Sequence, residues 1–504
     1  MLESDHSPKR LSLSALGRRL RSVPAMLLLL PFVVGVALHD SFSLSSWAVV
    51  ALFSLLLGVG LWCRVWYLRL AAVVAMTTTA GYYIAELRTN RCAVPLDREL
   101  EVVVRVDQVP ERRSSRVVSQ GVIEAWREDG VWHDERCDVM LRLPDDELRE
   151  GDRVQMHSVI RSRISNFESY DRLLHRRGFV GRVDVTSGEY RVLKRGGRAS
   201  LHAQAVRRLE RHLSDSAAYA TAEAMVVGSK RLITQSIKRD YADTGLSHLM
   251  AISGLHLGII MLVVGLLLRP LVLIYGGYQL RAIVVIILLW VFAAVSGFTP
   301  SVVRSALMLS ALQLSYASML RYNSLNTLSV VVFVMLIYRP SYLFDLSFQL
   351  SVMAVLGIVV WGVPLLSLLS SQGVRTGGVL SGFVMAVVAT LWAMPIMSYT
   401  FGSVSFINIL LSPLVFITAY VVVGFGVFAL VLPASLAGPF AWVMELAARL
   451  QNGIVECGAQ SGVGVVECSA TKWQVAAVYM LFALITFVVW SWEAKKMVTL
   501  SLDE

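Results

Sequence analysis

Charge is what this sequence has least of. Only 16% of its residues are Asp, Glu, Lys or Arg, against about 25% in soluble domains, which argues against a water-soluble globular protein. Cysteine is scarce as well: five in 504 residues, with no Cys-x-x-Cys spacing. Neither a zinc motif nor a paired redox motif is therefore supported. No Walker A sequence occurs, so this chain carries no ATP-driven motor of that type. No His-x-His-x-Asp-His occurs, and a metallo-β-lactamase-type nuclease centre is missing. Gly-x-Ser-x-Gly is absent too. Ala251-Ile252-Ser253-Gly254 comes near it, without the strand-turn-helix setting that such a nucleophile needs.

What the chain has in quantity is apolar sequence, 56% of all residues. The charge it does carry is concentrated. Residues 88–198 hold 22 Lys/Arg and 20 Asp/Glu, about half of the 46 and 36 in the chain. This reads as a soluble block between two membrane regions. The fold class expected is a multi-pass α-helical membrane protein of about 10–12 spans with an inserted extracytoplasmic small β-barrel, at about 20 residues per crossing.

The first region predicts three spans, near 24–40, 44–63 and 68–87. Lys9, Arg10, Arg18, Arg19 and Arg21 precede the first, and excess Lys/Arg marks the cytoplasmic side. An apolar run follows the first one at once, so it reads as an uncleaved helix rather than a signal peptide. Arg64 and Arg69, beside Cys63, mark the next cytoplasmic turn. Domain 1–87 thus leads out to an extracytoplasmic domain, 88–200. Disulfides are permitted in that compartment. A Cys92–Cys137 bridge is one pairing among those that sequence leaves open.

Within 88–200, short alternating runs at Glu99–Val106, Val117–Trp126, Arg136–Leu143, Asp152–Ile160 and Phe179–Leu193 read as strands. A helix at Tyr170–Arg177 fits between the last two. Five short strands in about 100 residues suit a closed barrel such as an OB-fold. Residues 201–215 are amphipathic and suit the membrane interface; 217–244 look helical but too polar to span. Segment 201–245 thus leads into a channel-like domain, 246–493, and a cytoplasmic tail, 494–504. Candidate spans there are 247–268, 281–297, 301–319, 326–338, 345–363, 379–400, 405–432, 437–452 and 473–492. The fourth and eighth are short or amphipathic and read as re-entrant. Lys495 and Lys496 return the C-terminus to the cytoplasm.

Polar residues inside apolar runs are the candidate functional residues, because lipid offers them no partner. Residues 245–259 place His248, Ser253 and His256 among apolar neighbours. On one helix the two histidines would lie about 80° apart, either as a polar pore wall or as buried, backbone-bonded rings. Gly254 and Gly258 make Gly-x-x-x-Gly, which favours close helix packing and permits unwinding. Arg304 is either an interfacial anchor or an inward cation suited to phosphate. Asp345 is a helix cap and cation partner; Gln349 and Asn408 add polar groups in later spans. In the soluble block, Arg112, Arg113, Arg116, Arg161, Arg163 and Arg177 interleave with Trp126 and Tyr170. Single-strand binding surfaces combine cations with aromatic platforms. The 20 acidic residues of the block favour an ordinary solvated surface instead.

One set of segments is specific. Ala224-Met225-Val226-Val227-Gly228-Ser229-Lys230-Arg231, then Thr244-Gly245-Leu246-Ser247-His248-Leu249-Met250-Ala251-Ile252-Ser253-Gly254-Leu255-His256, resembles the core signature of the ComEC family of DNA-uptake channels. Arg304-Ser305-Ala306-Leu307-Met308, Phe344-Asp345-Leu346-Ser347-Phe348-Gln349-Leu350-Ser351 and Asn408-Ile409-Leu410-Leu411-Ser412-Pro413 follow in order. Asn166-Phe167 through Tyr170, Leu174 and Arg177-Gly178-Phe179-Val180-Gly181 resembles the end of that family's OB-like domain. The resemblance implies an inner-membrane channel that passes single-stranded DNA into the cytoplasm during natural transformation. It implies no enzyme activity, no cofactor and no metal. Partners would be the bilayer, a separate DNA receptor, a cytoplasmic motor, a nuclease and, as one option, a second copy of the chain. Many members continue into a metallo-β-lactamase-like domain. This sequence ends at Glu504, which implies that another protein supplies that step or that none occurs. Another anionic polymer or lipid-linked cargo, or a membrane-embedded hydrolase using His248 and His256, are the alternatives.

Overall fold

The computed structural model describes residues 23–42, 45–62, 65–88, 92–113, 116–143, 148–165, 168–186, 190–197, 200–210, 217–250, 252–318, 323–462 and 465–500. Lys9, Arg10, Arg18, Arg19, Arg21, Cys63, Arg64, Asn166, Phe167 and Ala251 lie outside the described residues. The chain divides into two compact units, 1–86 with 319–413 and 464–504, and 87–318 with 414–463.

The first unit opens with three helices, α1 (Pro24–Ser41), α2 (Ser46–Trp62) and α3 (Trp66–Arg88). α1 packs on a later helix, α11 (Ser324–Tyr338): Phe32 and Phe333 rings lie 4.6 Å apart, and Asn326 Oδ1 accepts from the Ala25 N–H at 3.1 Å. Next come α12 (Leu346–Gly357), a π turn at Ile358–Gly362, α13 (Val363–Ser371), α14 (Gly378–Phe401) and the two-stranded pair β8 (Ser403–Ser405) and β9 (Val465–Glu467). α17 (Lys472–Leu500) closes the unit. Trp361, Trp392 and Phe482 form its aromatic centre, with Trp361 Nε1 donating to Thr486 at 2.8 Å.

The second unit holds the soluble block and the core of the second membrane region. Among its described residues the block has seven strands: β1 (Glu99–Val106), β2 (Glu111–Arg113), β3 (Arg116–Glu128), β4 (Val131–Leu143), β5 (Arg153–Arg161), β6 (Phe179–Asp184) and β7 (Tyr190–Lys194). A helix, α4 (Glu168–Arg176), precedes β6. β1 pairs antiparallel with both β3 and β5; β4 pairs with β3 and, in parallel, with β6; β6 also pairs with β5. Alternation in β1 buries Val102, Val104 and Val106, as period-two patterning requires. The β3–β4 hairpin turns on Asp129 and Gly130, both at positive φ (49° and 85°), the geometry of a type I′ turn.

Two expectations are corrected here. The run 179–193 is two strands, not one. β4 begins at Val131, five residues before the alternation suggested, because its first residues are exposed on both faces and leave no apolar pattern. β2 was too short to be seen in sequence.

Beyond the sheet lie α5 (Leu201–Glu210), α6 (Ala217–Val226), α7 (Gln235–Asp243), α8 (Gly254–Leu267), α9 (Gly277–Val295) and α10 (Pro300–Ala317). α15 (Ile407–Val431) passes from the first unit into the second, and α16 (Ala434–Gln460) follows. The amphipathic α5 is expected at the membrane interface. Its apolar face is instead inside the protein: Ala205, Val206 and Leu209 join a core with Met225, Val226, Ile259, Val302, Val423 and Met444. Its polar face is tied down too, with His202 Nδ1 2.8 Å from the Val295 carbonyl and Arg208 donating to the Leu432 carbonyl.

Seven helices among the described residues are long and apolar enough to cross a membrane, and three shorter apolar helices, within α2, α8 and α11, accompany them. This is the architecture of a multi-pass membrane protein.

Candidate functional site

The segment 247–268 does not form one helix. A 3₁₀ turn at Ser247–Met250 comes first, the chain then breaks, and α8 starts at Gly254. His248 and His256 therefore sit on different elements, and the 80° spacing expected of one helix does not apply. The break has a local cause. Ser253 occupies the N-cap in extended backbone, and His256 stands at the third helical position. The His256 ring accepts the Ser253 backbone N–H at Nδ1 (2.9 Å), with Ser253 Oγ also 2.9 Å away. This is a capping box with a histidine in place of the usual Glu or Gln. Because Nδ1 accepts, the neutral ring carries its proton on Nε2. That Nε2 is fully buried and meets no partner among the described residues. His248 is exposed, its Nδ1 3.3 Å from the Gly245 carbonyl.

The contact between Ser253 and His256 has the separation of a nucleophile and its base. A cap accounts for it: the lone pair at Nδ1 is taken by a backbone N–H, and among the described residues no third group bonds the ring. For a metal, the group of three ligand-type side chains found among the described residues is Cys92, Glu135 and Cys137, and neither histidine is in it. There Cys92 and Cys137 are joined as a disulfide (Cα–Cα 6.0 Å) and Glu135 accepts from the Ala93 N–H at 3.0 Å.

Gly254 brings α8 close to α10. A Cβ at Gly254 would stand 3.0 Å from Ser305 Oγ, whereas one at Gly258 would meet nothing within 4 Å among the described residues. Of the Gly-x-x-x-Gly pair only the first is at a packing contact. Immediately before Ser305, Arg304 is 1% exposed and the largest fully buried side chain among the described residues; its Nη2 donates to Ser301 Oγ at 3.1 Å. The interfacial-anchor reading of Arg304 is thereby corrected: its side chain lies inside the protein.

Asp345, Gln349 and Asn408 belong to the first unit. Asp345 caps α12, accepting from Ser347 N–H at 2.9 Å and Phe348 N–H at 3.4 Å. Gln349 Nε2 donates to the Leu343 carbonyl at 2.7 Å. Asn408 is 6% exposed, and its Oδ1 accepts nothing among the described residues.

Two polar groupings were not foreseen. The first is Glu223, wholly buried in α6, which accepts from Arg231 Nε at 3.0 Å; Arg231 also pairs with Glu210. Burial pushes the Glu223 carboxyl above the usual carboxylate range, and the Arg231 guanidinium opposes that shift. The second joins three helices. Gln451 of α16 donates to Tyr241 Oη of α7 at 3.0 Å, and Tyr241 donates to Asn452 Oδ1 at 2.9 Å. Thr221 of α6 donates to the same Oδ1 at 3.0 Å. Glu223 could have been noticed as the lone acid in Ala220-Thr221-Ala222-Glu223-Ala224, but nothing local marks Gln451.

In the sheet domain, Arg161 and Arg163 line a cavity of about 510 Å³ together with Asp97, Val159 and Arg182. Asp184 stands between Arg182 (3.1 Å) and Arg161 (3.3 Å). Tyr170 is exposed and Arg177 half-buried. Trp126 is corrected as a stacking platform: it is 5% exposed in the core, with its ring stacked on His133 at 4.3 Å. Arg112, Arg113 and Arg116 lie on β2 and β3, and their side chains are outside the described residues.

The chain is 28% identical over 218 residues to "ComE operon protein 3" of Bacillus subtilis (strain 168), a stretch covering 43% of this chain and 26% of that protein. It is 30% identical over 228 residues to an uncharacterized protein of Aquifex aeolicus (strain VF5), covering 45% of this chain and 51% of that one. The match thus spans about a quarter and about half of these relatives. No solved structure matches. The family model described as "Competence protein" matches residues 225–493, which takes in Arg231, the capped break at Ser253 and every later span. That match covers more than half of the sequence, and the chain belongs to the competence protein family.

Proposed function

We propose that this protein is an inner-membrane channel that passes single-stranded DNA into the cytoplasm during natural transformation. The observation that carries the reading is the break capped by Ser253 before Gly254, inside the family-matched region. It interrupts an apolar run and leaves His248 exposed, while the buried His256 Nε2 has no partner among the described residues. Irregular backbone at membrane depth is tolerated where it lines a cavity or is buried in protein.

In this reading 246–493 forms the conduit, and His248, Ser253, Gly254, His256, Arg304, Asp345, Gln349 and Asn408 line it or pin its broken helices. The sheet domain is extracytoplasmic and OB-like. The ring of pairings from β1 through β3, β4, β6 and β5 back to β1 supports that assignment. Arg161, Arg163, Tyr170 and Arg177 would meet the strand, with Arg112, Arg113 and Arg116 as further candidates. Both termini are cytoplasmic. No covalent catalysis is assigned; a separate motor drives transport and a separate receptor delivers DNA, with a separate nuclease as a further partner where the other strand is degraded.

The test is transformation frequency in a deletion strain of the host, complemented with wild type or with Arg304→Ala. Labelled DNA is scored separately in periplasm and cytoplasm. DNA that reaches the periplasm and stops there is the expected result. Unchanged transformation in the deletion would sink the DNA reading and turn attention to another anionic polymer or lipid-linked cargo.

A further inference from the structure

Where α8 hands over to α9, the second unit carries a cavity of about 760 Å³, lined by none of the residues named above for the conduit. Its walls come from α8, α9 and α10. Leu262 and Leu266 of α8 are 60% and 62% exposed, a strip of apolar surface left uncovered among the described residues. Above that strip stand two guanidiniums, Arg269 and Arg281, with Tyr278, Gln313 and Tyr316 around them. Among the described residues no carboxylate lines the cavity. Arg281 is half-buried, and its Nε–H is buried with no acceptor among the described residues. Its guanidinium lies over Gly265, where a Cβ would come within 3.1 Å of Nη2. The glycine thus leaves space for the cation at the top of the groove.

We propose that this cavity binds one anionic phospholipid, its phosphate held by Arg281 and Arg269 and an acyl chain laid along Leu262 and Leu266. A guanidinium fork matches phosphate oxygens and gains from charge-assisted bonds. Tyrosines at headgroup level and basic pockets between membrane helices are the usual surroundings of such lipids. A nucleic-acid strand fits the site less well, because it would leave the leucine strip uncovered. An acyl chain covers it. In the orientation proposed above this end faces the cytoplasmic leaflet, but the lipid site stands whether or not DNA is the cargo.

The experiment uses the full chain, purified in neutral detergent and stripped of lipid. Binding is read by native mass spectrometry and by thermal shift, with phosphatidylglycerol, phosphatidylcholine of the same acyl chains, inorganic phosphate and a thymidine oligonucleotide as probes. Phosphatidylglycerol is expected to bind and raise the midpoint, and phosphatidylcholine to do neither. Arg269→Ala, at an exposed position, should weaken phosphatidylglycerol about tenfold, and Arg269→Ala with Arg281→Gln still further. If the double variant fails to fold, Arg269→Ala alone decides. Equal binding of the two lipids, unchanged binding in Arg269→Ala, or displacement of the lipid by phosphate or by the oligonucleotide would each overturn the proposal.

Discussion

Arg231 donates through Nε to Glu223 Oε1 at 3.0 Å, and Glu223 has no exposed surface. Removing one partner of a buried ion pair leaves an uncompensated charge and costs about 3–5 kcal/mol. Arg231→Met should therefore destabilise strongly, whereas Arg231→Met with Glu223→Gln should recover most of the loss. Thermal unfolding in detergent measures both. The single variant should also have a distinctive pH profile. With the opposing cation gone, the raised carboxyl pKa means that the folded state holds its proton more tightly than the unfolded state. Stability in that variant is then greatest at acid pH and falls as pH rises through the folded-state value. A variant as stable as wild type at all pH values would remove the pair from the list of structural supports.

The two glycines of α8 should separate cleanly. Gly254→Leu has to displace Ser305, which a Cβ already meets at 3.0 Å; overpacking of this kind costs about 1–3 kcal/mol. Gly258→Ala meets nothing within 4 Å and should be neutral or slightly stabilising, since alanine favours a helix by about 1 kcal/mol over glycine. Equal losses at both positions would mean that α8 packs differently.

Tyr241 bridges Gln451 and Asn452 through one hydroxyl. Tyr241→Phe leaves a buried Gln451 donor unmatched and should cost about 1–3 kcal/mol. Tyr241→Phe combined with Gln451→Leu should cost less than the sum of the two single changes. A double-mutant cycle on unfolding midpoints reads the coupling, and strict additivity would show that the contact contributes nothing.

In the sheet domain, Glu101 accepts from Arg127 at 3.1 Å and from Gln155 at 2.6 Å. These bonds hold its carboxyl below the usual value. Its contribution is complete above the ordinary glutamate range and is lost as pH falls through the folded-state value. Glu101→Gln should flatten that acid limb, measured by tryptophan fluorescence between neutral and acid pH. An acid limb of unchanged slope in the variant would assign it to other carboxylates.

Hydrophobic runs and strand alternation are local, so they could be read directly. The apolar helices from Pro24 onward and the strand Glu99–Val106 lie where those patterns placed them. Asp345 as a helix cap was equally local, since the cap and the N–H groups it accepts lie within three residues. The break before Gly254 left only a faint mark, because a serine cap before an apolar run competes with the strong hydrophobic signal around it.

The interior contacts had no local trace. Whether Arg304 anchors at an interface or lies buried, whether Trp126 stacks on a ligand or fills a core, and whether the apolar face of Leu201–Glu210 meets lipid or protein depend on which segments pack opposite them. Gln451 and Tyr241 are 210 residues apart, a pairing that no spacing rule could suggest. The sequence by itself determined that this chain spans membranes, carries a strand-rich insert and bears the competence signature, because each is written in neighbouring residues. Only the tertiary structure decided which polar side chains are buried together, because burial and hydrogen bonding are properties of packed surfaces drawn from distant parts of the chain.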